Sequence, residues 1–349
     1  MQNIIEQGKK VFFKGKLTAT LLVLLIILII VMSYLNPRNF PTLINAQSML
    51  SQMACLGVFA LAMFLPMISG GINLSIVTTG NLAGVGMIMV VNGLFFGALP
   101  SDGSRIAVGI IIAIMIGMLC GLVNGAFISK MRLSPVLVTL ASSMLFEGGA
   151  TLVTRGGGLV SGIPGIVIFG NSTVFNFIPN VFIITIACYV AVSLFVNNTK
   201  YGEISRLLGA NENASRYCGN NNVRTVMTTY ILSGILSSIG GLIVFFRIGI
   251  VRAEYGVTIP FQTILILVLA GLMVIGGSGK VIDVMLSLAI LQVVQTGFNL
   301  GGVNVFLRNT WWGIILMSIV VLNTRTFGEF ANKKIKKWTN KKPTDVSSI

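Results

Sequence analysis

The chain has 349 residues, of which 54% are hydrophobic and only 9% are charged, and its formal net charge is +15. Soluble globular proteins carry about a quarter of their residues as charged side chains, so this composition excludes a water-soluble globular domain. The sequence contains no histidine, which excludes histidine-dependent acid–base and triad catalysis. Its four cysteines include no Cys-x-x-Cys pair, a pattern that argues against a disulfide framework or a structural zinc site.

Apolar segments of membrane-spanning length follow one another along almost the whole chain. About 20 residues of apolar helix cross the hydrocarbon core of a bilayer. Ten segments meet this requirement, at residues 17–35, 47–69, 73–96, 106–129, 134–153, 180–196, 226–246, 258–276, 284–300 and 309–323. The first lacks a small-residue cleavage site, so we interpret it as a retained helix and not as a signal peptide. We therefore predict an all-α polytopic membrane protein with about ten transmembrane helices.

These spans predict three regions: an N-terminal segment at residues 1–16, a single transmembrane domain at residues 17–323 and a basic tail at residues 324–349. Pro66 and the Gly70-Gly71 pair predict a kink or a broken helix between the second and third spans.

The placement of lysine and arginine predicts the orientation of the spans. With the N-terminus inside, all thirteen lysines and five arginines fall in inside segments, whereas six arginines fall in outside segments. We therefore expect both termini in the cytoplasm. The basic tail is typical of a solvated segment or of contact with anionic lipid. A nucleic-acid partner is not expected, because the cations lie between and beyond the spans and form no basic groove.

Small and polar residues inside the spans carry further information. Gly117, Gly121 and Gly125 have the small-xxx-small spacing that is typical of closely packed membrane helices. Asn124, in the same span, either bonds to a neighbouring helix or lines a solute path.

Glu147 is the one acidic residue well inside a predicted span. A carboxylate in hydrocarbon is costly, so we expect Glu147 to pair with an arginine of another helix or to face a water-filled cavity. Asp283 lies near a predicted membrane edge, where we expect it to be solvated.

Two long loops stand out, at residues 155–179, predicted outside, and 198–223, predicted inside. In the inside loop, Asn211 suits the N-cap of a helix, Glu212 favours the positive end of the helix dipole, and Gly219 suits the left-handed position after a helix. The pattern predicts a short capped helix, ordered by packing on the spans of this chain or on a partner. An ordinary connecting loop is the alternative interpretation.

Residues 276–280 read G-G-S-G-K and resemble part of a phosphate-binding loop. The full pattern requires glycine at position 274 and serine or threonine at position 281, where this chain has Val274 and Val281. The sequence therefore shows no ATP site of its own.

Residues 209–223 read G-A-N-E-N-A-S-R-Y-C-G-N-N-N-V. They resemble a cytoplasmic loop, G-x-N-x-x-A-A-R-x-x-G-I-x-V, of the permease subunits of bacterial ribose-type ABC sugar importers. Three further stretches match the same family in order. G-G-I-N-L-S at residues 70–75 is similar to G-G-I-D-L-S, and G-G-S-G-K-V at residues 276–281 is similar to G-G-x-G-x-V. G-L-V-N-G at residues 121–125, followed by Ser134-Pro135 and Thr139-Leu140, is similar to G-x-x-N-G … P-P-F-I-x-T-L-G. The resemblance runs from about residue 50 to residue 323. Asn73 and Glu147 depart from the family's pattern, which puts ribose itself in doubt as the substrate.

The resemblance implies a set of functional residues. The helix at residues 209–219 would be the coupling helix that inserts into a groove of an ATPase subunit, through Gly209, Ala210, Asn211, Glu212, Ala214, Arg216 and Gly219. A path for the solute is expected near Gly70, Gly71, Asn73, Ser75, Asn124 and Glu147.

The resemblance also implies partners and a location. They are an ABC ATPase subunit that binds ATP and magnesium, an external solute-binding protein, a second permease subunit and membrane lipid, in a bacterial inner membrane. No cofactor is expected on this chain, and no enzymatic activity.

Two other functions remain open from the sequence. An ion-coupled secondary transporter would need ionisable residues near the midplane, for which Glu147 is the clear candidate. An ABC permease for branched-chain amino acids would share the fold. A membrane-embedded enzyme is disfavoured, because no nucleophile–base or metal constellation is seen.

Overall fold

The structure is a computed structural model that describes residues 2–93, 101–273, 276–304, 307, 310–314 and 317, with side chains from residue 17 onward. The chain divides into two compact units, Met1–Gly302 and Val303–Ile349. All the elements described below lie in the first unit.

Twelve helices and four two-residue strands make up this part of the chain. The helices are α1 (Gln2–Leu35), α2 (Leu43–Ile68), α3 (Ile76–Val91), α4 (Asp102–Met131), α5 (Pro135–Thr154), α6 (Pro164–Asn171), α7 (Asn180–Asn198), α8 (Lys200–Ala210), α9 (Glu212–Tyr217), α10 (Asn222–Ile248), α11 (Ile259–Leu269) and α12 (Val281–Leu300). The strands are β1 (Leu159–Val160), β2 (Thr173–Val174), β3 (Ile178–Pro179) and β4 (Ile250–Val251). The prediction of an all-α polytopic membrane protein is confirmed.

Each of the first nine predicted spans corresponds to a helix. Seven of these helices are long and apolar enough to cross a membrane, and α3 and α11 are shorter apolar helices. The predicted basic tail, and most of the predicted tenth span, lie outside the described residues.

The central helix of the bundle is α10, which packs against α2, α3 and α4. A Cβ atom added to Gly117 would meet the carbonyl oxygen of Gly234 and lie 2.7 Å from Cβ of Ser238, and one added to Gly121 would meet the carbonyl oxygen of Tyr230. The backbones of α4 and α10 therefore touch along the predicted glycine stripe. The close helix packing expected from this spacing is confirmed.

The predicted break between the second and third spans is also present. Helix α2 contains Pro66 in its last turn and ends at Ile68. Residues 69–75 then form a non-helical segment, which we call the α2–α3 turn, before α3 begins at Ile76.

Two expectations about residues 258–283 were wrong. The span predicted at residues 258–276 is helical only as far as Leu269, because Gly271 adopts φ 78° and ends the helix. Asp283 was expected to be solvated, but its side chain is 3% exposed and accepts a 2.6 Å hydrogen bond from the hydroxyl of Thr18 on α1. Its position in the first turn of α12 also places the carboxylate at the positive end of that helix.

Small elements cover the end of the bundle that contains residues 155–179. Strand β1 pairs antiparallel with β4, and β2 pairs with β3 in a hairpin. At this end, Asn92 after α3 donates to the carbonyl oxygen of Val160 and accepts from the amide of Gly162. We call the end of the bundle that contains residues 155–179 the α6 end. The opposite end, which contains α8 and α9, is the α9 end.

Candidate functional site

A short helix with caps at both ends is present in the predicted inside loop, at Glu212–Tyr217, and Gly209 and Ala210 lie instead at the end of α8. The side-chain oxygen of Asn211 accepts a 3.0 Å hydrogen bond from the amide of Ala214, as expected of an N-cap. At the other end, Gly219 adopts φ 76° and its amide donates to the carbonyl oxygen of Arg216. The amide of Asn220 donates to the carbonyl oxygen of Ser215, which completes a Schellman motif. The helix α9 that results has six residues.

Side-chain bonds tie α9 to the start of α10. Ser215 is fully buried, and its hydroxyl donates a 2.7 Å hydrogen bond to the side-chain oxygen of Asn222. The amide group of Asn222 in turn donates to the carbonyl oxygen of Glu212. Sequence reasoning missed both residues, because neither is a glycine, a cap or a charged group.

One face of α9 is exposed. Asn211, Glu212 and Arg216 are exposed, and Ala214 is half-buried. Tyr217 was not among the predicted residues, yet its side chain is 91% exposed. Helix α9 therefore has a buried serine on one side and an exposed tyrosine and arginine on the other.

Helix α8 supports α9 from the preceding segment. The guanidinium of Arg206 donates a 2.8 Å hydrogen bond to the side-chain oxygen of Asn197, at the end of α7. Partial burial lowers the pKa of Arg206, and the neighbouring Glu203 carboxylate acts in the opposite direction. Since arginine remains protonated in proteins, this side chain keeps its charge and its bond to α7.

A cavity of about 1050 Å³ opens beside α9. It brings together residues that sequence reasoning had assigned to two separate roles. Its lining includes, from the predicted sets, Gly70, Gly71, Gly209, Ala210, Asn211, Glu212, Arg216 and Gly219. Arg132, Ser129 and Tyr230 also line it, and the hydroxyls of Ser129 and Tyr230 are buried without a hydrogen-bond partner.

Three of the predicted path residues lie instead in a buried polar network. The side-chain oxygen of Asn73 accepts from the hydroxyl and the amide of Ser75, and its amide group donates to Ser233 on α10. Asn124 on α4 donates a 2.8 Å hydrogen bond to the Ser75 hydroxyl. Ser233 donates to the carbonyl oxygen of Ala62 on α2. The four side chains are 0–1% exposed, so in this conformation they fasten the α2–α3 turn to its neighbours.

Glu147 lies apart from these residues, on a face of α5 that is largely uncovered. It is half-buried and lines a surface depression of about 1120 Å³ together with Gly148, Gly149 and Arg155. Added Cβ atoms at Gly148 and Gly149 would meet nothing within 4 Å. Within the ranges that the structure describes, no ion pair reaches Glu147, so the expected pairing with an arginine of another helix is not seen.

The turn at residues 276–280 reaches the α9 end, where Gly277 adopts φ 86° and donates its amide hydrogen to the carbonyl oxygen of Ile68. The similarity of these residues to a phosphate-binding loop thus coincides with a packing role. No group of three or more acidic, cysteine or histidine side chains that could hold a metal ion lies among the residues with described positions.

Comparison with known proteins agrees with the motifs. The profile of the family described as "Branched-chain amino acid transport system / permease component" matches residues 45–324. The chain is similar to the autoinducer 2 import system permease protein LsrD of Photorhabdus laumondii, with 29% identity over 304 residues, which make up 85% of this chain and 88% of the relative. It is also similar to LsrD of Yersinia pseudotuberculosis, with 27% identity over 277 residues, or 78% and 80% of the two chains.

Among solved structures, a metal-chelate type ABC transporter in an inward-facing conformation gives a TM-score of 0.46 at 14% identity, over 92% of this chain and 99% of that one. This likeness is too weak to carry an argument about fold or conformation. The sequence relatives confirm the resemblance to permeases of ABC importers.

Proposed function

The chain belongs to the permease family of branched-chain amino acid transport systems, and on that premise we propose that it is the membrane-spanning permease subunit of an ATP-binding-cassette importer. Its cargo would be a sugar or a similar small polar solute. The observation that carries this proposal is α9, a helix capped at both ends that presents an exposed face beside a cavity.

The ATPase partner is assigned to the α9 end. A coupling element has to keep its shape while it transmits force, and the bonds from Asn211, Ser215 and Asn222 give α9 that rigidity. ATP and magnesium would bind to the separate ATPase subunit. With the ATPase at the α9 end, this end faces the cytoplasm of a bacterial cell, and both termini also lie in the cytoplasm. The chain itself lies in the inner membrane.

The solute-binding protein is assigned to the opposite end. The α6 end offers the β2–β3 hairpin, whose tip residue Phe175 is 94% exposed, and the exposed Arg155 and Arg252. These groups extend beyond the helices and are available for a partner.

A second permease subunit is assigned to the open face of α5. Met144 and Leu152 on this face are 78% and 82% exposed, and Glu147 lies between them. In a bilayer, a carboxylate on an uncovered face is costly, on the order of 3 kcal/mol. A second subunit across this face would enclose Glu147 in a shared, water-filled path.

The similar proteins and the family guide the choice of cargo. The similar permease proteins belong to autoinducer 2 import systems, and the family description concerns branched-chain amino acids. The G-x-N-x-x-A loop and the G-G-I-N-L-S turn favour the sugar-type branch. Glu147 and Asn73 leave the individual solute open.

The test is reconstitution of the full chain in proteoliposomes with an ABC ATPase subunit and a solute-binding protein from the same organism. We expect ATP-dependent uptake of a sugar-type solute, with autoinducer 2 as the first to be assayed and leucine as the competitor. Uptake that needs an ion gradient and no ATPase would overturn the proposal, and uptake of leucine alone would move the cargo to the amino-acid branch.

A further inference from the structure

Two glycine-containing turns and one helix end, from distant parts of the chain, meet at one point of the α9 end. They are the α2–α3 turn at Gly70, the end of α8 at Gly209, and the turn before α12 at Gly276-Gly277. The amide of Gly277 donates a 2.9 Å hydrogen bond to the carbonyl oxygen of Ile68, the last residue of α2.

Backbone atoms make the contacts among these three segments. A Cβ atom added to Gly209 would fall on the carbonyl oxygen of Ile68 and lie 2.5 Å from the amide nitrogen of Gly277. One added to Gly276 would lie 2.6 Å from the amide nitrogen of Gly70, and one added to Gly277 would lie 2.8 Å from Cα of Ala210. We call Gly70, Gly209, Gly276 and Gly277 the glycine junction.

The α2–α3 turn also holds α5. The hydroxyl of Thr139 on α5 lies within hydrogen-bond distance of the carbonyl oxygen of Pro135, at 2.8 Å, and of that of Ile72, at 3.2 Å. A Cβ atom added to Gly71 would lie 3.4 Å from the ring of Pro135, the first residue of α5. The segment that touches α8 on one side therefore touches α5 on the other.

We propose that the glycine junction transmits movement of α9 to α5, and so connects the ATPase docking site to the face that carries Glu147. The inference rests on the proposed function. Its physical basis is that close-packed backbones have low compressibility, and that the atoms nearest to Gly209, Gly276 and Gly277 are backbone atoms and the methyl group of Ala210, which has no rotamer to change. The α2–α3 turn is itself bonded to α4 and α10 through Asn124 and Ser233, so a displacement of the turn would also reach these two helices.

The test places a methyl group in the junction. Gly209→Ala would force apart the backbones of Ile68, Gly209 and Gly277, whereas Gly209 is buried and away from the exposed face of α9. Gly103→Ala is the matched control, because Gly103 is exposed and a Cβ atom there meets nothing within 4 Å. The full chain is reconstituted with its ATPase and binding protein in each case.

Movement of α5 is followed by a fluorescent label on Leu137→Cys in a Cys218→Ser background. Leu137 is 69% exposed on α5, and the other three cysteines are buried. We expect Gly209→Ala to keep the bound ATPase, to lose the ATP-dependent change at residue 137, and to lower uptake roughly two- to thirtyfold, the range over which substitutions alter coupling between sites. Gly103→Ala should retain both signals.

Each other outcome is decisive. Full uptake and an unchanged label response in Gly209→Ala would overturn the proposed role of the junction. Loss of the bound ATPase would assign Gly209 to docking, and would overturn that role as well. If Gly209→Ala does not accumulate in the membrane, Thr139→Val decides, since it removes the hydroxyl contact to Ile72 at similar shape; unaltered uptake and label response in that variant would overturn the proposal. Failure of the ATPase to bind the unaltered chain would overturn the proposed function itself, and the junction with it.

Discussion

The hydroxyl of Ser215 donates a 2.7 Å hydrogen bond to the side-chain oxygen of Asn222, and this bond joins the middle of α9 to the first residue of α10. Asn222 also donates to the carbonyl oxygen of Glu212. One asparagine thus fixes α9 at two points against α10, the helix that packs against α2, α3 and α4, which explains how six residues keep a helical shape at a surface.

Removal of this asparagine should loosen α9. Asn222→Ala deletes two hydrogen bonds and leaves the buried Ser215 hydroxyl without its acceptor, at a cost of about 1–3 kcal/mol. We expect faster amide hydrogen exchange at residues 212–220 and reduced uptake, with normal insertion because the change lies at the first residue of α10, before the apolar stretch predicted at residues 226–246. Asn220→Ala is the control. Unchanged hydrogen exchange at residues 212–220 in Asn222→Ala would show that the caps alone hold α9.

The contact between α4 and α10 should tolerate no added bulk. Gly121→Val would place two methyl groups against the carbonyl oxygen of Tyr230, and overpacking of this kind typically costs about 1–3 kcal/mol. The thermal stability of the detergent-solubilised protein should fall, and so should its amount in the membrane. Gly148→Ala, on an open surface, should leave stability unchanged; equal stability of Gly121→Val would contradict the packing described.

Glu147→Gln tests whether this carboxylate serves transport or only structure. No ion pair to Glu147 is present in the described part of the chain, so removal of its charge should not lower the abundance of the protein. We expect reduced uptake at normal abundance. Asp102→Asn is the control, because Asp102 is exposed and its pair with Arg105, at 3.9 Å, contributes little. Reduced abundance of Glu147→Gln would assign it a structural role instead.

The orientation of the chain can be read with reporter fusions. Fusions after Lys16 and after Lys342 should both report the cytoplasm, because eighteen of the twenty-four basic residues lie on the predicted inside. A periplasmic signal from either fusion would reject the predicted topology, and with it the assignment of the ATPase to the α9 end.

Local sequence signals predicted the features that depend on local chemistry. The first nine apolar spans, the stripe at Gly117, Gly121 and Gly125, and the caps at Asn211 and Gly219 are each set by a few neighbouring residues. All of these are present in the described part of the chain, although the helix predicted at residues 258–276 ends at Leu269. The roles assigned to the coupling and path residues stay predictions.

Features that depend on distant contacts were not accessible in the same way. Asp283 is buried because Thr18, 265 positions earlier, lies against it, and no local sequence pattern predicts that contact. The same holds for Asn73, whose partner Ser233 is 160 positions away. The glycine motifs at residues 70, 209 and 276 were visible separately, but only the fold brings their backbones together.

The most direct test of the central claim is the contact between α9 and the ATPase. Ala214 is half-buried on α9, and its side chain takes no part in the cap that its backbone amide makes with Asn211. Ala214→Arg adds bulk and charge to this surface, whereas Ala214→Ser adds one oxygen. Co-purification of the ATPase with each variant from membranes is the measurement. We predict that Ala214→Ser retains the ATPase and uptake, and that Ala214→Arg inserts normally but loses both. Retention of the ATPase and full uptake by Ala214→Arg would contradict the assignment of α9 as the coupling helix.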